Sequence, residues 1–288
     1  MSMPFYVSPE QVMKDKADYA RKRISQIRSG VVMTCEAGIL LVAPNPSRAL
    51  RKFSEMYDRI AFAAVGRYNE FESLRKAGVR YADMTGFQYD RRDVSARALA
   101  NWYGQLLGAL FTDSPKPYEV EIVVAEVGQT AAEDEIYRIT FEGSVADEHD
   151  FVVVGGQADK VAAVLKERYS QSMSLTEAMN LAIAALAGQG DGTNAEPVTG
   201  DQLEAALLER SRPHRAFRRL TGTRLEGLLA DARAALGSAG AAATTEGATT
   251  DGATTEGATT GGPADAAKPA GEPAGGAADG EGGDAAGA

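Results

Sequence analysis

The stretch that decides the fold is residues 31–66, VVMTCEAGILLVAPNPSRALRKFSEMYDRIAFAAVG, in which short apolar runs alternate with turn-forming residues. Three of these runs have strand length and are rich in branched side chains: Val31–Met33, Ile39–Val42 and Ile60–Val65. Gly38 and the PNP segment at 44–46 supply turns between them. The pattern predicts four short strands, with Lys52 directly before the third strand at the mouth of a sheet.

A helix is predicted ahead of this stretch. Ser8 is a strong N-cap, Pro9 occupies the first helical position, and Gln11 completes a capping box. The helix is expected to run to about Arg28 and to stop at Gly30. Its apolar residues form one stripe, and basic residues fill much of the remaining surface. A basic amphipathic helix can lie on a membrane, but large apolar anchors are missing here, so an ordinary surface helix is favoured.

Beyond residue 66 the chain alternates between helical and strand patterns. Two helices are predicted first, one from Asn69 to Ala77 with Gly78 as its stop, and one from about Asp93 to Phe111. Three strands and three helices are predicted after them: strands Glu119–Val127, Ile136–Phe141 and Phe151–Gly156, then helices from Asp159 to about Tyr169, from Ser174 with Glu177 to about Gly188, and from Thr223 with Glu226 to Gly237.

The composition changes sharply near Gly237. Residues 238–288 contain no aromatic residue, Leu, Ile or Val. They include eight acidic residues and a single basic residue, Lys268. Their net charge is −7, so residues 1–237 hold only −3 of the formal −10. From Ala243 the unit Ala-Thr-Thr-acid-Gly repeats four times, with Gly261 in the acidic place of the fourth copy. Such a segment cannot bury a core, so a disordered acidic Ala/Thr/Gly-rich tail is predicted.

Several classes of function are excluded by composition. The body is nearly balanced in charge, so nucleic-acid binding is not indicated. A single cysteine, Cys35, excludes an internal disulfide framework and fits a reducing compartment, and two histidines provide no transition-metal cluster. The acidic run DEHD at 147–150 is interpreted as a solvated loop, since adjacent residues on a turn cannot all point inward to a metal. Without a membrane span or a secretory leader, a cytoplasmic protein with no membrane contact is expected.

The residues around Lys52 resemble the proteasome core family. The shared pattern is a strand, a Gly turn, a strand, a short loop, and then Lys-x4-Tyr-Asp-Arg-Ile-x5-Gly, which here runs from Lys52 to Gly66. Further strings look like the alpha subunits of that family, most closely the actinobacterial kind: residues 8–11 (SPEQ), 45–48 (NPSR), 89–93 (YDRRD), 116–120 (KPYEV) and 215–219 (RAFRR). The resemblance covers roughly residues 5–237.

The resemblance and the order of predicted elements imply one fold class. It is an α+β fold, a four-layer αββα sandwich of two stacked antiparallel sheets with an extra N-terminal helix. Only the segment Leu203–Arg210, LEAALLER, is ambiguous, because its residue types favour a helix. It is short and stops before Pro213, and in the family this place is a strand paired with one at Ala216–Leu220. We therefore predict strands for both segments.

The proteolytic beta subunits of that family are N-terminal nucleophile hydrolases, in which processing exposes a threonine at the start of the first strand. Here the strand begins with valines after Gly30, and the nearest threonine, Thr34, lies inside it. The position of the family's catalytic aspartate, at the end of the second strand, falls in the turn at 43–45 (APN). A non-proteolytic alpha-type subunit is therefore predicted. The alternatives are a self-processing hydrolase and an adaptor that binds partners through its acidic tail.

The resemblance implies a division of the chain and a set of functional residues. Residues 1–8 would be a gate segment, 9–237 the alpha-type domain and 238–288 the tail. The domain would form the outer seven-membered rings of a barrel, associate with beta subunits, receive an AAA-type ATPase ring and admit protein substrates, with no cofactor. Lys52 would pair with the C-terminal carboxylate of an ATPase subunit. The gate residues would be Pro4, Phe5, Tyr6, Val7 and Ser8.

The turn Arg91-Arg92-Asp93 is a further candidate site. Two basic residues at a helix start oppose the helix dipole, so they are a poor anion site. An ion-pair contact to a neighbouring subunit is favoured instead. The N-terminal segment also lacks the Tyr-Asp-Arg that archaeal and eukaryotic alpha subunits carry there, so the way in which this gate opens is not implied by the resemblance.

Overall fold

The computed structural model describes residues 8–47, 49–187 and 200–231. Its strands are β1 (Gly30–Cys35), β2 (Gly38–Pro44), β3 (Phe53–Tyr57), β4 (Ile60–Gly66), β5 (Val120–Glu126), β6 (Glu135–Ile139), β7 (Val145–Glu148), β8 (Phe151–Val154), β9 (Leu203–Glu209) and β10 (Phe217–Leu220). Its helices are α1 (Pro9–Ile24), α2 (Tyr68–Gln88), α3 (Ala96–Asp113), α4 (Ala158–Arg168), α5 (Leu175–Ala187) and α6, which covers residues 222–231 of the described part.

The strands form two five-stranded sheets, and all their pairings are antiparallel. The first sheet has the order β10-β9-β2-β1-β8 and the second has the order β3-β4-β5-β6-β7. Strands β1 and β2, from the stretch 31–66, lie side by side inside the first sheet. Both are buried along their whole length. A strand buried on both faces reads as a continuous apolar run, which is the pattern that the sequence shows.

Side chains of alternate residues fill three separate apolar layers. Val32 and Ile39 belong to the layer between the two sheets, whereas Val31 and Met33 belong to the layer between the first sheet and helices α4 and α5. On the far side, Phe62 joins the layer between the second sheet and helices α2 and α3. The predicted four-layer αββα sandwich of two antiparallel sheets, with α1 as the extra N-terminal helix, is confirmed.

Helix α1 is fastened to the body by few apolar and several polar contacts. Its Ala17, Ala20 and Ile24 pack against Phe141, with Phe111 at the edge of this small cluster. Four further residues of the helix make polar contacts with the body: Lys16 Nζ donates to the carbonyls of Phe111 (3.1 Å) and Thr112 (3.3 Å), the Tyr19 hydroxyl donates to Glu119 (3.1 Å), Arg21 pairs with Glu142 (2.7 Å), and Arg23 pairs with Glu119 (3.2 Å). The lysine thereby places a cation at the C-terminal end of α3, where helix dipoles favour it.

The predicted bounds of the helices need three corrections. Helix α1 ends at Ile24 rather than near Arg28, and the Gln11 amide nitrogen donates to Asp15, whereas Ser8 Oγ does accept the Gln11 N–H as predicted. The third helix begins at Ala96, not Asp93. The start of α3 is fixed by its N-cap Ser95, whose Oγ accepts the N–H of Ala98 at 3.2 Å.

The largest correction concerns Gly78, which does not stop a helix. Helix α2 runs from Tyr68 to Gln88 straight through it. A Cβ atom at Gly78 would collide with the hydroxyl of Tyr103, which donates to the carbonyl of Leu74 at 2.9 Å. The glycine is therefore present because α3 approaches α2 closely at this point, and not because the helix ends.

One strand was missing from the prediction. Part of the acidic run at 147–150 lies in β7, an edge strand whose residues are mostly exposed. Because β7 has no buried face, it carries no alternation of apolar and polar residues that could reveal it. The ambiguous segment is β9, paired with β2 and β10, so the strand prediction there is confirmed. The predicted tail, 238–288, lies outside the described residues.

Candidate functional site

Lys52 lies in the loop that connects β2 to β3, one residue before β3 begins. The loop is closed by its own polar side chains. Asn45 donates from Nδ2 to the carbonyl of Leu50 (2.8 Å) and accepts the N–H of Ser47 (3.0 Å), and Ser47 Oγ accepts the N–H of Leu50 (3.0 Å). The Asn and Ser of the NPS segment thus act as turn-forming residues that replace backbone partners.

A buried carboxylate, Glu204 of β9, holds this loop from below. Its side chain is 3% exposed and accepts four hydrogen bonds. The donors are Asn45 Nδ2 (2.6 Å), the N–H of Lys52 (2.9 Å), the N–H of Phe53 (3.2 Å) and Arg219 Nη1 (3.0 Å). A buried charge is tolerated only when it is paired and hydrogen-bonded, and this carboxylate meets both conditions.

The Lys52 ammonium is half-buried and donates one hydrogen bond, from Nζ to the carbonyl of Arg28 at 3.2 Å. Burial lowers the pKa of Lys52 to about 8, the negative charge of Glu204 acts against this shift, and the charge of Arg28 adds to it. An ammonium group has three N–H donors. Among the described residues no second acceptor bonds to it, and a carboxylate is the incoming acceptor that would gain most from such a partly desolvated cation.

The start of β1 carries no threonine. The strand begins at Gly30, and Thr34 lies four residues farther on, with its hydroxyl 3.1 Å from the carbonyl of Asp150 and 2.5 Å from the hydroxyl of Tyr169. At the end of β2 the chain reaches Pro44, which has no side-chain acid or base. Lys52 therefore stands at this end of the sheet without the nucleophile that an N-terminal hydrolase needs.

Comparison with known proteins agrees with this geometry. Residues 26–207 match the family described as "Proteasome subunit". The chain belongs to the proteasome subunit family. It is 62% identical over 232 residues to the proteasome subunit alpha of Thermobifida fusca, which covers 81% of this chain and 92% of that protein. It is also 60% identical over 231 residues to the proteasome subunit alpha of Thermomonospora curvata, covering 80% of this chain and 99% of that protein.

The same comparison decides between the two kinds of proteasome subunit. These relatives, and that of Kineococcus radiotolerans at 59% identity over 234 residues, are alpha subunits. The chain is therefore an alpha-type, non-catalytic member of the family, and the self-processing hydrolase is not favoured. Within the described ranges, no helix is both long and apolar enough to cross a bilayer, and no three His, Cys, Asp or Glu side chains are grouped as metal ligands.

The second candidate site, Arg91-Arg92-Asp93, forms a single turn of 3-10 helix between α2 and α3. Arg91 donates hydrogen bonds to both carboxylate oxygens of Asp58, with distances of 3.0–3.2 Å. Asp93 accepts the N–H of Asp90 (3.1 Å), so this residue caps its own turn. The side chain of Arg92 is 93% exposed and pairs only weakly within the turn, with Asp90 at 3.3 Å. The predicted contact to a neighbouring proteasome subunit stays a prediction.

The predicted gate lies mostly outside the described residues, which begin at Ser8. Ser8 itself is the N-cap of α1, as predicted. The sequence did not reveal Glu204 as part of the Lys52 site. A signal was present, since Glu204 is a carboxylate inside the otherwise apolar run LEAALL, where an acid has to find buried partners.

Proposed function

We propose that this proteasome alpha subunit forms the outer seven-membered rings of a barrel whose proteolytic sites lie on beta subunits, and that it docks an AAA-type ATPase ring. Family membership and the missing threonine at β1 support the structural role. In the cytoplasm, the rings would keep folded proteins out and admit protein substrates that the ATPase has unfolded.

The observation that carries the docking proposal is the setting of Lys52. Its ammonium is partly desolvated, lies at the end of the sandwich where the β2–β3 loop emerges, and within the described ranges bonds only to the carbonyl of Arg28, although an ammonium can donate three bonds. We propose that it receives the C-terminal carboxylate of an ATPase subunit that ends in a hydrophobic residue, tyrosine and one further residue. A charge-assisted hydrogen bond of this kind contributes about 1.5–3 kcal/mol.

The test is Lys52→Ala in the assembled particle. By tenfold per about 1.4 kcal/mol, each ATPase C-terminus should bind roughly ten- to a hundredfold more weakly, and several such termini engage one ring, so the functional loss should be larger. The measurement is the ratio of ATPase-dependent degradation of a folded substrate to unassisted hydrolysis of a short peptide, which should fall.

Lys76→Ala is the matched control, because Lys76 is a 63% exposed lysine of α2 that pairs with Glu72 at 3.7 Å. It should leave the ratio unchanged. Equal loss of both rates in Lys52→Ala would indicate misassembly, and an unchanged ratio would return Lys52 to an ordinary surface lysine.

We further propose that residues 1–8 form the gate, with Pro4, Phe5, Tyr6 and Val7 ahead of the helix cap at Ser8. A segment without periodicity that precedes a strongly capped helix suits a movable plug on a fixed support. Deleting residues 2–7 should speed the entry of peptides into the particle while native mass shows intact assembly. Unchanged entry rates would contradict a gating role.

The turn Arg91-Arg92-Asp93 is proposed as a subunit contact. The neighbouring end of α2 exposes three large apolar side chains: Met84 (67%), Phe87 (94%) and Tyr89 (70%). A group of exposed apolar residues beside charged ones is typical of a surface that a partner covers. Asp93 already caps its own turn, so the exposed Arg92 is the member of the triad that is most available to a neighbouring subunit.

A further inference from the structure

Glu204 belongs to no site that the sequence or the relatives point to, yet it contacts the segment that carries Lys52. We propose that Glu204 is a positioning residue for carboxylate docking: its buried carboxylate accepts the backbone N–H of Lys52, fixes the backbone there and places a negative charge beside that residue. This inference rests on the proposed function, in which Lys52 receives the carboxylate of a partner.

The hydrogen bonds of Glu204 explain how it would fix the backbone. Oε2 accepts from Asn45 Nδ2 (2.6 Å) and from the N–H of Lys52 (2.9 Å), and Oε1 accepts from the N–H of Phe53 (3.2 Å). The carboxylate therefore holds one end of the β2–β3 loop at Asn45 and the other end at Lys52. A loop that is held at both ends leaves the lysine side chain, and not the backbone, as the part that can move.

Arg219 completes this arrangement from β10. Its Nη1 donates to Glu204 Oε1 (3.0 Å) and its Nη2 donates to the carbonyl of Phe53 (2.8 Å). Its guanidinium carbon lies 5.4 Å from the centre of the Phe217 ring. The arginine thus fastens Glu204 and the first residue of β3 to the same edge of the first sheet. Two strands that come late in the chain, β9 and β10, therefore position a lysine that comes early.

Two charged groups act on the Lys52 ammonium, and a third is paired with one of them. Arg28, which precedes β1, is positive, and its carbonyl accepts the Lys52 ammonium. Arg219 of β10 is positive and is paired with Glu204. Glu204 of β9 is the negative group that opposes the lowering of the Lys52 pKa by burial. If the charge of Glu204 is removed and its shape is kept, Arg28 is the one charged group among the described residues that still acts on the pKa of Lys52, and it lowers that pKa.

Glu204→Gln in the full particle tests the inference, with Glu209→Gln as its control. Glu209 lies on the same strand and pairs with Arg218 at 2.9 Å, away from the lysine. The probe is a short synthetic peptide that ends in leucine, tyrosine and alanine with a free carboxylate, compared with the same peptide ending in an amide. All four partners of Glu204 are hydrogen-bond donors. The NH₂ group of a glutamine is also a donor, so it would face two of these donors instead of accepting from them.

At pH 8, Glu204→Gln should weaken binding of the carboxylate peptide roughly tenfold, and the pH at which its affinity is half lost should move lower, because the anion that favours the charged lysine is gone. Binding of the amide peptide and all binding to Glu209→Gln should stay as in the unaltered particle. In a Lys52→Met background, Glu204→Gln should have no further effect on the carboxylate peptide, because the positioned group is gone. Equal weakening in both backgrounds would show that Glu204 acts only on general structure and would overturn the inference.

A second readout does not depend on any partner. The rate at which Lys52 is acetylated by acetic anhydride, followed by mass spectrometry across pH, reports the fraction of neutral amine. Glu204→Gln should shift this titration to lower pH, whereas Glu209→Gln should not. An unshifted titration would overturn the inference even where Lys52→Met abolishes docking. If the titration shifts but peptide binding is unaffected by Lys52→Met, the docking proposal is refuted and the inference falls with it, although the electrostatic effect of Glu204 on Lys52 stands.

Discussion

Two clusters of arginine and carboxylate in this molecule use the same chemistry in opposite surroundings. Around Glu204, the carboxylate is 3% exposed and each oxygen has two donors. At the turn after α2, the side chain of Arg91 is 65% exposed, and that of Arg92 is 93% exposed. A buried charge fixes the position of the chain around it, whereas an exposed charge costs little to separate from its partner. The first cluster is built to position Lys52, and the second is available to another subunit.

The strongest way to break this comparison is Glu204→Ala. It would leave Asn45, Arg219 and the N–H groups of Lys52 and Phe53 without their acceptor. Removing one partner from a buried ionic cluster typically costs about 3–5 kcal/mol. Urea unfolding of the subunit expressed without beta subunits should show a loss of this size. Glu209→Ala, on the same strand, should cost far less, and an equal cost for the two would contradict the special role of the buried cluster.

A change of pH tests the buried cluster through Lys52 itself. Because burial lowers the pKa of Lys52 to about 8, its ammonium is lost as pH rises through that value. ATPase-dependent degradation, divided by unassisted peptide hydrolysis, should therefore fall between pH 7 and pH 9, by up to about tenfold per pH unit above the pKa. Lys52→Arg keeps its charge over this range and should remove the pH dependence. A ratio that falls equally in both proteins would place the titrating group elsewhere.

Substitutions in the exposed cluster should affect assembly and leave the stability of the separate subunit unchanged. Replacing Arg91 and Arg92 by alanine should leave the melting temperature of the separate subunit unchanged within error, because these side chains are largely solvated. If the turn contacts a neighbour, the same double variant should reduce the fraction of chains in rings, as measured by native mass spectrometry. Unaltered assembly would show that the turn is only a solvated surface.

The smallest effect on stability is expected from removing the acidic tail. The composition of residues 238–288 offers no side chains for a core, so truncation after Gly237 should leave the melting temperature unchanged within error. A clear fall would show that the tail docks on the domain. In that case the charges of the tail would act like the buried Glu204 cluster and hold part of the chain in place.

Most of the fold could be predicted because the central strands are buried on both faces. Strands such as β1 and β4 are recognisable in the sequence as apolar runs. Helix α5 is recognisable by its capping box, which Ser174 and Glu177 do form, with distances of 2.8–3.3 Å. Gly78 was misinterpreted because a helix stop and a close helix crossing both call for glycine, and only the position of Tyr103 distinguishes them. Residue types alone would have made β9 a helix, and its pairing with β2 overrides that propensity.

The site could be predicted only in part. Lys52 was selected by its place in a local pattern that runs to Gly66, and its role in docking stays a prediction. Glu204 lies 152 residues away from Lys52 in the chain and meets it only after β9 pairs with β2. Local periodicity carries no information about such a contact. An acid inside an apolar strand is a sign that a partner exists, but it does not say which one.

The way in which α1 is fastened has a consequence for local opening. Its apolar contact is a small cluster around Ala20 and Phe141, and much of its attachment consists of the charged contacts of Lys16, Arg21 and Arg23. Salt screens such partly exposed charges and leaves apolar burial intact or strengthens it. In the separate subunit, the amide protons of α1 should therefore exchange with deuterium faster as ionic strength rises, while those of β1 and β2 keep the protection of the whole domain. Helix α1, which follows the proposed gate segment, would thus be released by salt before the central strands β1 and β2.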